Sequence, residues 1–196
     1  LILPDSFSVL AKPLCLMWDS LDNTVYVGGE VSNYVLGVGD RTGVKKALVP
    51  TAFPVTTLAF SPDCHKAYAL NIYQGKILVF NPSTHQRLDS FQMATYQNAT
   101  CYNPTGRKLY YAGGQNVTVV SCDGDSVLSA LYEYARFNYP CYVAKHISVY
   151  CTDDWNHGVW VIDGVTDTFV RFIYTDRHRP SYLDYDWRDD RLYCVN

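Results

Sequence analysis

The stretch from Pro54 to Phe91 decides the fold. It reads PVTTLAF at 54–60, the turn SPD at 61–63, KAYAL at 66–70, ILVF at 77–80, the turn NPST at 81–84 and RLDSF at 87–91. Short β-branched and aromatic runs bounded by Pro, Asn and Gly are typical of β-strands joined by tight turns. The stretch therefore predicts four short strands joined by three turns.

The same pattern recurs on both sides of this stretch, and each copy has a tyrosine in its second strand, which we call the ruler tyrosine. The ruler tyrosines are Tyr26, Tyr68, Tyr110, Tyr150 and Tyr193, so the steps are 42, 42, 40 and 43 residues. A period of about 40–45 residues with four strands per period is the signature of a propeller blade. Helical repeats of similar length need a helical apolar period, which this sequence lacks.

The sequence thus predicts an all-β protein, a β-propeller of four-stranded antiparallel blades, with about four to five blades present. We predict one domain over residues 1–196, with blades at about 13–53, 54–96, 97–138 and 139–179 and a partial blade at 180–196. The second and third strands are nearly continuous apolar runs, as expected for strands covered on both faces, whereas the fourth strand is more polar.

The two ends of the chain leave two interpretations open. Residues 1–12 are too short for a blade, and Leu1–Leu10 is predicted to supply an outer strand. Either the chain is an open arc from a longer propeller with other blades, or five units close and this segment completes the blade begun at Pro180. The missing initiating Met and the stop at Asn196 favour a fragment.

The composition of the chain indicates which kinds of partner and cofactor are not expected. The net charge of −3 and the pI of about 5.9 give no basic field, so we expect no nucleic-acid partner. No apolar run approaches the roughly 20 residues of a membrane-spanning helix, so no transmembrane segment is expected. Seven cysteines occur without paired Cys/His spacing, so we predict no metal and no cofactor. Because Cys151 and Cys194 follow ruler tyrosines where Val27 and Ala69 stand in other copies, we interpret them as small buried hydrophobes, with a disulfide as the alternative.

Three segments carry a resemblance to a known family: Thr24–Gly29 (TVYVGG), Val159–Asp163 (VWVID) and Leu192–Asn196 (LYCVN). They resemble the YVTN-type β-propeller repeat, which pairs a Tyr-Val-x-Asn second strand with a third strand that ends in Val-Ile-Asp. Asn81 and Asp40 stand where Asp163 does, and we expect all three to start a turn by accepting backbone hydrogen bonds. The resemblance covers residues 13–196 and departs from the pattern at 121–123. It implies a bacterial or archaeal protein, secreted or on the cell surface, and it carries no catalytic residue across.

Strand direction alternates within a blade, so the connections between blades and the hairpins between second and third strands are predicted to share one face. The aromatic, His and Arg residues predicted there are Phe53, Tyr73, Tyr96, Phe137, Tyr139, Trp155, His157, Arg177, His178 and Arg179. Aromatic and Arg side chains are enriched at interface hot spots. We therefore predict a non-catalytic binding or scaffold module for a protein, peptide or glycan partner. The competing interpretation is that these aromatics only cap the packing of the blades.

The alternative function is a propeller enzyme, a lyase or lactonase, with a metal or His/Asp site at the mouth of the central channel. His157 and His178, with Asp153 and Asp154 beside them, are the residues that would form it. No phosphate-binding glycine loop, nucleophile elbow or metalloprotease motif is present in the sequence.

Overall fold

The computed structural model describes residues 12–176 and 178–195 of the chain. The regular secondary structure of these residues is β-strand, apart from one turn of 3-10 helix at Ala144–His146. No helix in the described residues has the length and apolar character needed to cross a bilayer. The chain divides into two compact units, one ending at Gln92 and the other beginning at Met93. The one-domain organisation stays a prediction, and the segment Leu1–Leu10 lies outside the described residues.

The first unit contains two four-stranded antiparallel sheets, which we name blades 1 and 2. Their strand orders are β1-β2-β3-β4 and β5-β6-β7-β8, so neighbours in sequence are neighbours in the sheet. The strands are β1 Pro13–Asp19, β2 Thr24–Gly29, β3 Tyr34–Gly39, β4 Lys45–Pro50, β5 Thr57–Ser61, β6 Lys66–Asn71, β7 Lys76–Phe80 and β8 Arg87–Gln92.

The second unit contains a six-stranded sheet of order β14-β13-β12-β11-β10-β9 and the two-stranded sheet β15-β16. The strands are β9 Ala99–Asn103, β10 Lys108–Ser121, β11 Ser126–Val143, β12 Ser148–Asp153, β13 Gly158–Asp163, β14 Thr168–Tyr174, β15 Tyr182–Asp186 and β16 Arg191–Val195.

The long strands β10 and β11 each supply two blade strands. Strand β10 forms the second and third strands of one blade, and β11 forms the fourth strand of that blade and the first strand of the next. The six-stranded sheet therefore contains two four-stranded blades. The Cys122 amide, just after β10, donates to the Arg107 carbonyl, just before it, at 2.9 Å. The 14 residues of β10 must therefore fold back on themselves, and Gly114 adopts a positive φ of 57° at the reversal. Strand β11 pairs with β10 in its first part and with β12 in its last. Blade 3 thus runs from β9 into β11, blade 4 runs from β11 to β14, and β15-β16 form part of blade 5.

The burial of the strands follows their apolar pattern. Ala67, Tyr68, Ala69 and Leu70 of β6 are all fully buried, as are the last four residues of β7. The outer strand β8 is exposed except for Phe91, which is half-buried. Central strands of small or aromatic residues can be covered on both faces, and the polar outer strand is left to face water.

Two of the three predicted turn-starting residues, Asn81 and Asp163, hold their turns as expected. In the described residues the Asp40 side chain accepts no backbone amide, and the Gly43 amide donates to the Gly39 carbonyl at 2.9 Å in that turn. Asn81 Oδ1 accepts hydrogen bonds from the amides of the second and third residues that follow it, both at 2.9 Å. Asp163 Oδ1 does the same at 2.9 and 2.8 Å, and these bonds lower the pKa of its carboxyl. A side chain that satisfies two amides fixes the reversal between the third and fourth strands of a blade.

Two of the ruler tyrosines, Tyr26 and Tyr110, join one blade to the next through their hydroxyl groups. Tyr26 of blade 1 is fully buried, and its hydroxyl donates to the Pro82 carbonyl, in the turn before the outer strand of blade 2, at 2.6 Å. Tyr110 of blade 3 donates to Asp167 Oδ1 in the matching turn of blade 4. Tyr193, beyond which the structure describes no further blade, is 51% exposed. The period in the sequence therefore marks a contact between blades.

All seven cysteines are free thiols, so the disulfide alternative is not realised in this structure. Cys151 is fully buried, and the interpretation as a small buried hydrophobe is confirmed for it. The same interpretation is wrong for Cys194, which is exposed because no further strand covers its side of β16 in the described residues. Burial raises the pKa of the Cys15 thiol to about 11.

Replacing Tyr26 by Phe should lower the free energy of unfolding by about 1–2 kcal/mol, because the Pro82 carbonyl loses its donor in a buried setting. Urea unfolding measures the difference. Tyr132→Phe is the matched control, since Tyr132 is an exposed tyrosine on an outer strand, and it should change stability by less than about 0.5 kcal/mol. Equal effects of the two substitutions would show that the hydroxyl contact contributes nothing.

Stability should also fall at alkaline pH. Burial raises the pKa of the Tyr26 and Tyr110 phenols well above their ordinary value, and the bond to Asp167 raises that of Tyr110 further. The unfolded chain releases these protons above about pH 10 while the folded chain retains them, so the stability is intact below that pH and is lost above it. Urea unfolding from pH 8 to 11 should show a shallower decline for the Tyr26→Phe/Tyr110→Phe variant, and an unchanged slope would contradict this account.

Candidate functional site

The second unit carries a surface pocket of about 470 Å³ that we call the aromatic pocket. Its lining residues are Tyr134, Trp155, Asn156, His157, Trp160, Phe172 and Tyr174. Five of the seven are aromatic, and Tyr134 and Tyr174 are 82% and 64% exposed. The volume lies in the range of about 300–1,000 Å³ that is usual for ligand pockets.

Strands β13 and β14 build one wall of the aromatic pocket. Their register places Trp160 opposite Phe172, with ring centroids 4.9 Å apart. Phe172 lies over Gly158, where any Cβ would overlap the phenyl ring and the Ile173 carbonyl. Tyr174 is two residues further along β14, so it shares a face with Phe172, and their centroids are 5.9 Å apart. The wall therefore depends on alternation along one strand and on a glycine in its neighbour.

This wall continues into the core of the second unit. Phe137 is fully buried and stacks on Phe169, with centroids 5.4 Å apart and planes 7° from parallel. Phe169 in turn lies 5.1 Å from the Trp160 ring. Rings that pack in a continuous series hold the exposed members in fixed orientations. The pocket wall is thus pre-organised by the core.

The other wall is the turn between β12 and β13, and the buried carboxylate of Asp153 organises it. Asp153 Oδ1 accepts from the amides of Arg136, Trp155 and Asn156 at 3.1–3.2 Å. Its Oδ2 accepts from Asn156 Nδ2 at 2.7 Å and from Trp160 Nε1 at 3.1 Å. One carboxylate therefore ties the turn that presents Trp155 to the strand that presents Trp160.

The lining of the pocket carries no carboxylate and no Lys or Arg. His157 is half-buried, ends the turn with a positive φ of 56°, and its Nδ1 is buried without a hydrogen-bond partner. Close to the turn, Arg136 and Asp154 form a two-armed ion pair, which raises the pKa of the Arg136 guanidinium. Such a surface suits an apolar or aromatic group flanked by hydrogen-bonding groups.

The structure brings together two of the residues predicted for binding, Trp155 and His157, both of which line the aromatic pocket. The other exposed members do not line it; they are Tyr73, Tyr96, Tyr139, His178 and Arg179. Tyr139 packs its ring against Tyr182 at 5.2 Å. Arg177 lies outside the described residues.

Phe53 and Phe137 are not surface residues. Phe53 is 6% exposed and packs in the core of the first unit, and Phe137 packs in the core of the second. Both follow an outer strand, where the chain returns to the inside of the next blade and an aromatic side chain fills the space. The prediction that Phe53 and Phe137 belong to a binding face is therefore wrong. Both side chains pack within the blades, as the competing interpretation held.

Five lining residues were not anticipated: the turn residue Asn156 and four aromatics, Tyr134, Trp160, Phe172 and Tyr174. The four aromatics lie on strands or strand ends, whereas the binding residues were predicted on loops. A usable signal was present, because Phe172 and Tyr174 alternate on the outer strand of blade 4, in a position where the other blades tend to be polar.

The predicted His/Asp group does not form. Both oxygens of Asp153 are occupied by the bonds described above, and Asp154 is paired with Arg136. In the described part of the chain, His157 and His178 are not in a group of convergent ligand atoms with these carboxylates. The enzyme alternative therefore loses the residues on which it rested.

The first unit also has a pocket, of about 390 Å³, beside Phe53 and the outer strands of blade 2. Its lining includes the charged residues Lys76 and Arg87 together with Gln92 and Phe91. It presents no exposed tryptophan or tyrosine, so it offers less of the surface that dominates binding energy at protein interfaces.

Comparison with known proteins gives a fold and no family. No protein-family model matches the sequence, and no curated protein matches it. Among solved structures, the chain is similar to Kuenenia stuttgartiensis hydrazine synthase, with a TM-score of 0.77 and 17% identity over 90% of this chain and 52% of that one. It is also similar to the WD40 repeats of RRP9, with a TM-score of 0.72 and 12% identity over 91% and 55%. The chain thus spans about half the length of the solved structures it matches.

These neighbours are propellers, and together with the four-stranded antiparallel sheets they confirm the predicted fold class. The chain is an all-β protein of the β-propeller type, with four four-stranded blades and two strands of a fifth in the described residues. Membership of the YVTN family stays a prediction.

Replacing Asp153 by Ala should destabilise the protein by about 3 kcal/mol, because the substitution leaves five partly buried donors without the acceptor that they share. Asp154→Ala is the neighbouring control and should cost about 1 kcal/mol or less, since it breaks an ion pair with a half-exposed Arg136. Urea unfolding followed by tryptophan fluorescence reports on both. Similar losses for the two variants would mean that Asp153 does not organise the turn.

Proposed function

We propose that this chain is a non-catalytic binding module and that its aromatic pocket holds an extended segment of a protein or peptide partner. The observation that carries the proposal is the position of the pocket: it opens beside an apolar outer strand, β14. Two of its lining residues, Phe172 and Tyr174, belong to that strand.

Strand β14 differs from the outer strands of the first unit. It reads TFVRFIY, with a single charge, and Val170, Ile173 and Tyr174 are exposed. The outer strand of blade 2 reads RLDSFQ, and that of blade 1 begins with two lysines. Charges of this kind discourage pairing at a sheet edge. In the described residues β14 is the edge of its sheet, so its outward backbone groups can pair with another extended strand.

The pocket would supply the specificity of such a contact. In strand addition, main-chain hydrogen bonds give affinity, and pockets for alternate side chains give selectivity. The uncharged aromatic lining favours an aromatic, proline or aliphatic side chain on the partner. A peptide is favoured over a glycan because a glycan has no main chain to pair with the edge of β14.

Several of the wider expectations remain proposals alongside this one. The expected secreted or cell-surface location, the bacterial or archaeal source and the absence of a nucleic-acid partner derive from composition and resemblance alone.

Selection of a displayed random 12-residue peptide library on the immobilised chain would test the proposal. Selected peptides should bind the wild-type chain in fluorescence polarisation, and Trp155→Ala or Tyr174→Ala should weaken binding at least about tenfold, the effect of losing a hot-spot aromatic. Trp187→Ala is the matched control, because Trp187 is exposed in the same unit but does not line the pocket. It should leave affinity unchanged.

A separate measurement tests whether the peptide pairs its main chain with the edge strand β14. N-methylation of alternate backbone amides in a selected peptide should abolish binding, since those amides would donate to β14. Peptides that bind equally well to the Trp155→Ala and Tyr174→Ala variants would overturn the proposal. Glycans that bind only when both residues are intact would assign the pocket to a different partner class and would also overturn it.

A further inference from the structure

The first unit contains a convergent set of three side chains of the kinds that bind metals, at the contact between blades 1 and 2. Asp19 and Asp22 lie at the turn between β1 and β2, and His65 lies at the corresponding turn between β5 and β6 of the next blade. One ligand atom from each lies within 4.8 Å of the others. Asp22 Oδ2 and His65 Nε2 are 3.7 Å apart.

The carboxylate of Asp19 has an oxygen with no partner. The residue is fully buried, and its Oδ1 accepts from the amides of Leu21 and Asp22 at 2.9 and 3.3 Å. Its Oδ2 is buried and makes no hydrogen bond. A buried anionic oxygen without a donor costs several kcal/mol unless a cation or an ordered water compensates it. This oxygen is the observation that points to a ligand.

The contact between blades 3 and 4 provides an internal comparison. There Asn103 occupies the place of Asp19 at the end of the first strand, and it starts the same kind of turn. Its Nδ2 donates to the Gly164 carbonyl of the next blade at 2.9 Å, so the buried side chain is fully used. The places of Asp22 and His65 are taken by Gly106 and Ile147. The contact between blades 3 and 4 thus has an amide that is already hydrogen-bonded, a glycine and an isoleucine where the other contact has two carboxylates and an imidazole.

Two neighbouring side chains complete the surroundings. Ser83 Oγ contacts Asp22 Oδ2 and lies 3.1 Å from His65 Nε2, so its hydroxyl could add a further oxygen. Since Asp22 and Ser83 both approach the same imidazole nitrogen, the three cannot act as a nucleophile–base–acid relay. Lys46 Nζ binds the Asp22 and Asn23 carbonyls and Thr24 Oγ1, and so it is held by the turn backbone instead of by the carboxylates.

We propose that Asp19, Asp22 and His65 bind one divalent transition-metal ion, with zinc as the fitting example, at the contact between blades 1 and 2. Zinc accepts carboxylate oxygen and imidazole nitrogen at about 2.0–2.2 Å, and a tetrahedral site would place such ligand atoms about 3.3 Å apart. Because the ligand atoms lie up to 4.8 Å apart, the partly exposed side chains of Asp22 and His65 would have to move toward the buried Asp19 carboxylate. Water or Ser83 Oγ would fill the fourth position. The ion would neutralise the unpartnered Asp19 oxygen and link the two blades.

The test uses the full chain, treated with EDTA, dialysed and titrated with zinc chloride by calorimetry. We expect one zinc per chain, a higher melting temperature with zinc, and at least about tenfold weaker binding for Asp19→Asn and for His65→Gln. Asn103 shows that Asn is accommodated at the position of Asp19, so the Asp19→Asn variant should fold. His146→Gln/Asp190→Asn is the matched control, because it removes another His–Asp pair at a blade contact and should leave zinc affinity unchanged.

Cobalt substitution identifies the ligand type. Cobalt bound at this site should show no thiolate charge-transfer absorption, because the ligands are oxygen and nitrogen. A thiolate band would assign the metal to cysteines and overturn the proposal. Zinc binding that is absent in the wild-type chain, or unchanged in Asp19→Asn and His65→Gln, would overturn it as well and would leave an ordered water as the partner of Asp19.

Discussion

A buried tyrosine hydroxyl that reaches a turn of the next blade is the contact on which the rest of this structure depends. A four-stranded sheet of five- to seven-residue strands buries too little surface by itself and gains stability by covering the face of its neighbour. Tyr26 and Tyr110 supply the bulk of an aromatic ring inside that contact and a polar group at its far end. The hydroxyl finds an acceptor only if the next blade stands in one register, so a single side chain both packs and positions the pair.

The same constraint sets where polar chemistry can collect. Because the tyrosine fixes the outer turn of one blade against the first turn of the blade before it, side chains on those turns meet reproducibly. Between blades 3 and 4, this neighbourhood holds Lys108, Asp167 and Asn103, whose charges and hydrogen bonds are mutually satisfied. Between blades 1 and 2, it holds Asp19, Asp22 and His65, and one carboxylate oxygen stays unsatisfied. The same arrangement of two adjacent blades therefore has fully paired polar groups at one contact and an unpaired carboxylate oxygen beside two further candidate ligands at the other.

The aromatic pocket arises from a different property of the repeat, the freedom of the outer strand. An inner strand must carry residues that fit between blades, whereas an outer strand can vary. In blade 4 the outer strand carries aromatic side chains, and a series of packed rings supports them, from the buried Phe137 through the half-buried Phe169 to Trp160. The pocket is consequently rigid at its base and exposed at its rim, a combination that lowers the entropic cost of binding.

The sequence was sufficient for those features that depend on neighbours within one blade. The tyrosine period, the apolar inner strands and the turn-starting Asn81 and Asp163 are local or strictly periodic, and each was predicted correctly. Features that depend on packing between different strands and blades could not be predicted from the sequence. Phe53 and Phe137 look like loop aromatics until the path of the chain buries them. Asp19 and His65 are far apart in sequence and meet only because adjacent blades stack with their turns aligned.

The most direct test of the account is a double-mutant cycle between Tyr110 and Asp167, which lie on adjacent blades of the second unit. Tyr110→Phe, Asp167→Ala and the double variant are compared by urea unfolding, so that the separate loss of the Lys108–Asp167 ion pair cancels. A blade-to-blade clasp predicts a coupling energy of about 1–2 kcal/mol. Additive effects, with a coupling energy near zero, would contradict the claim that the tyrosine hydroxyl holds successive blades together.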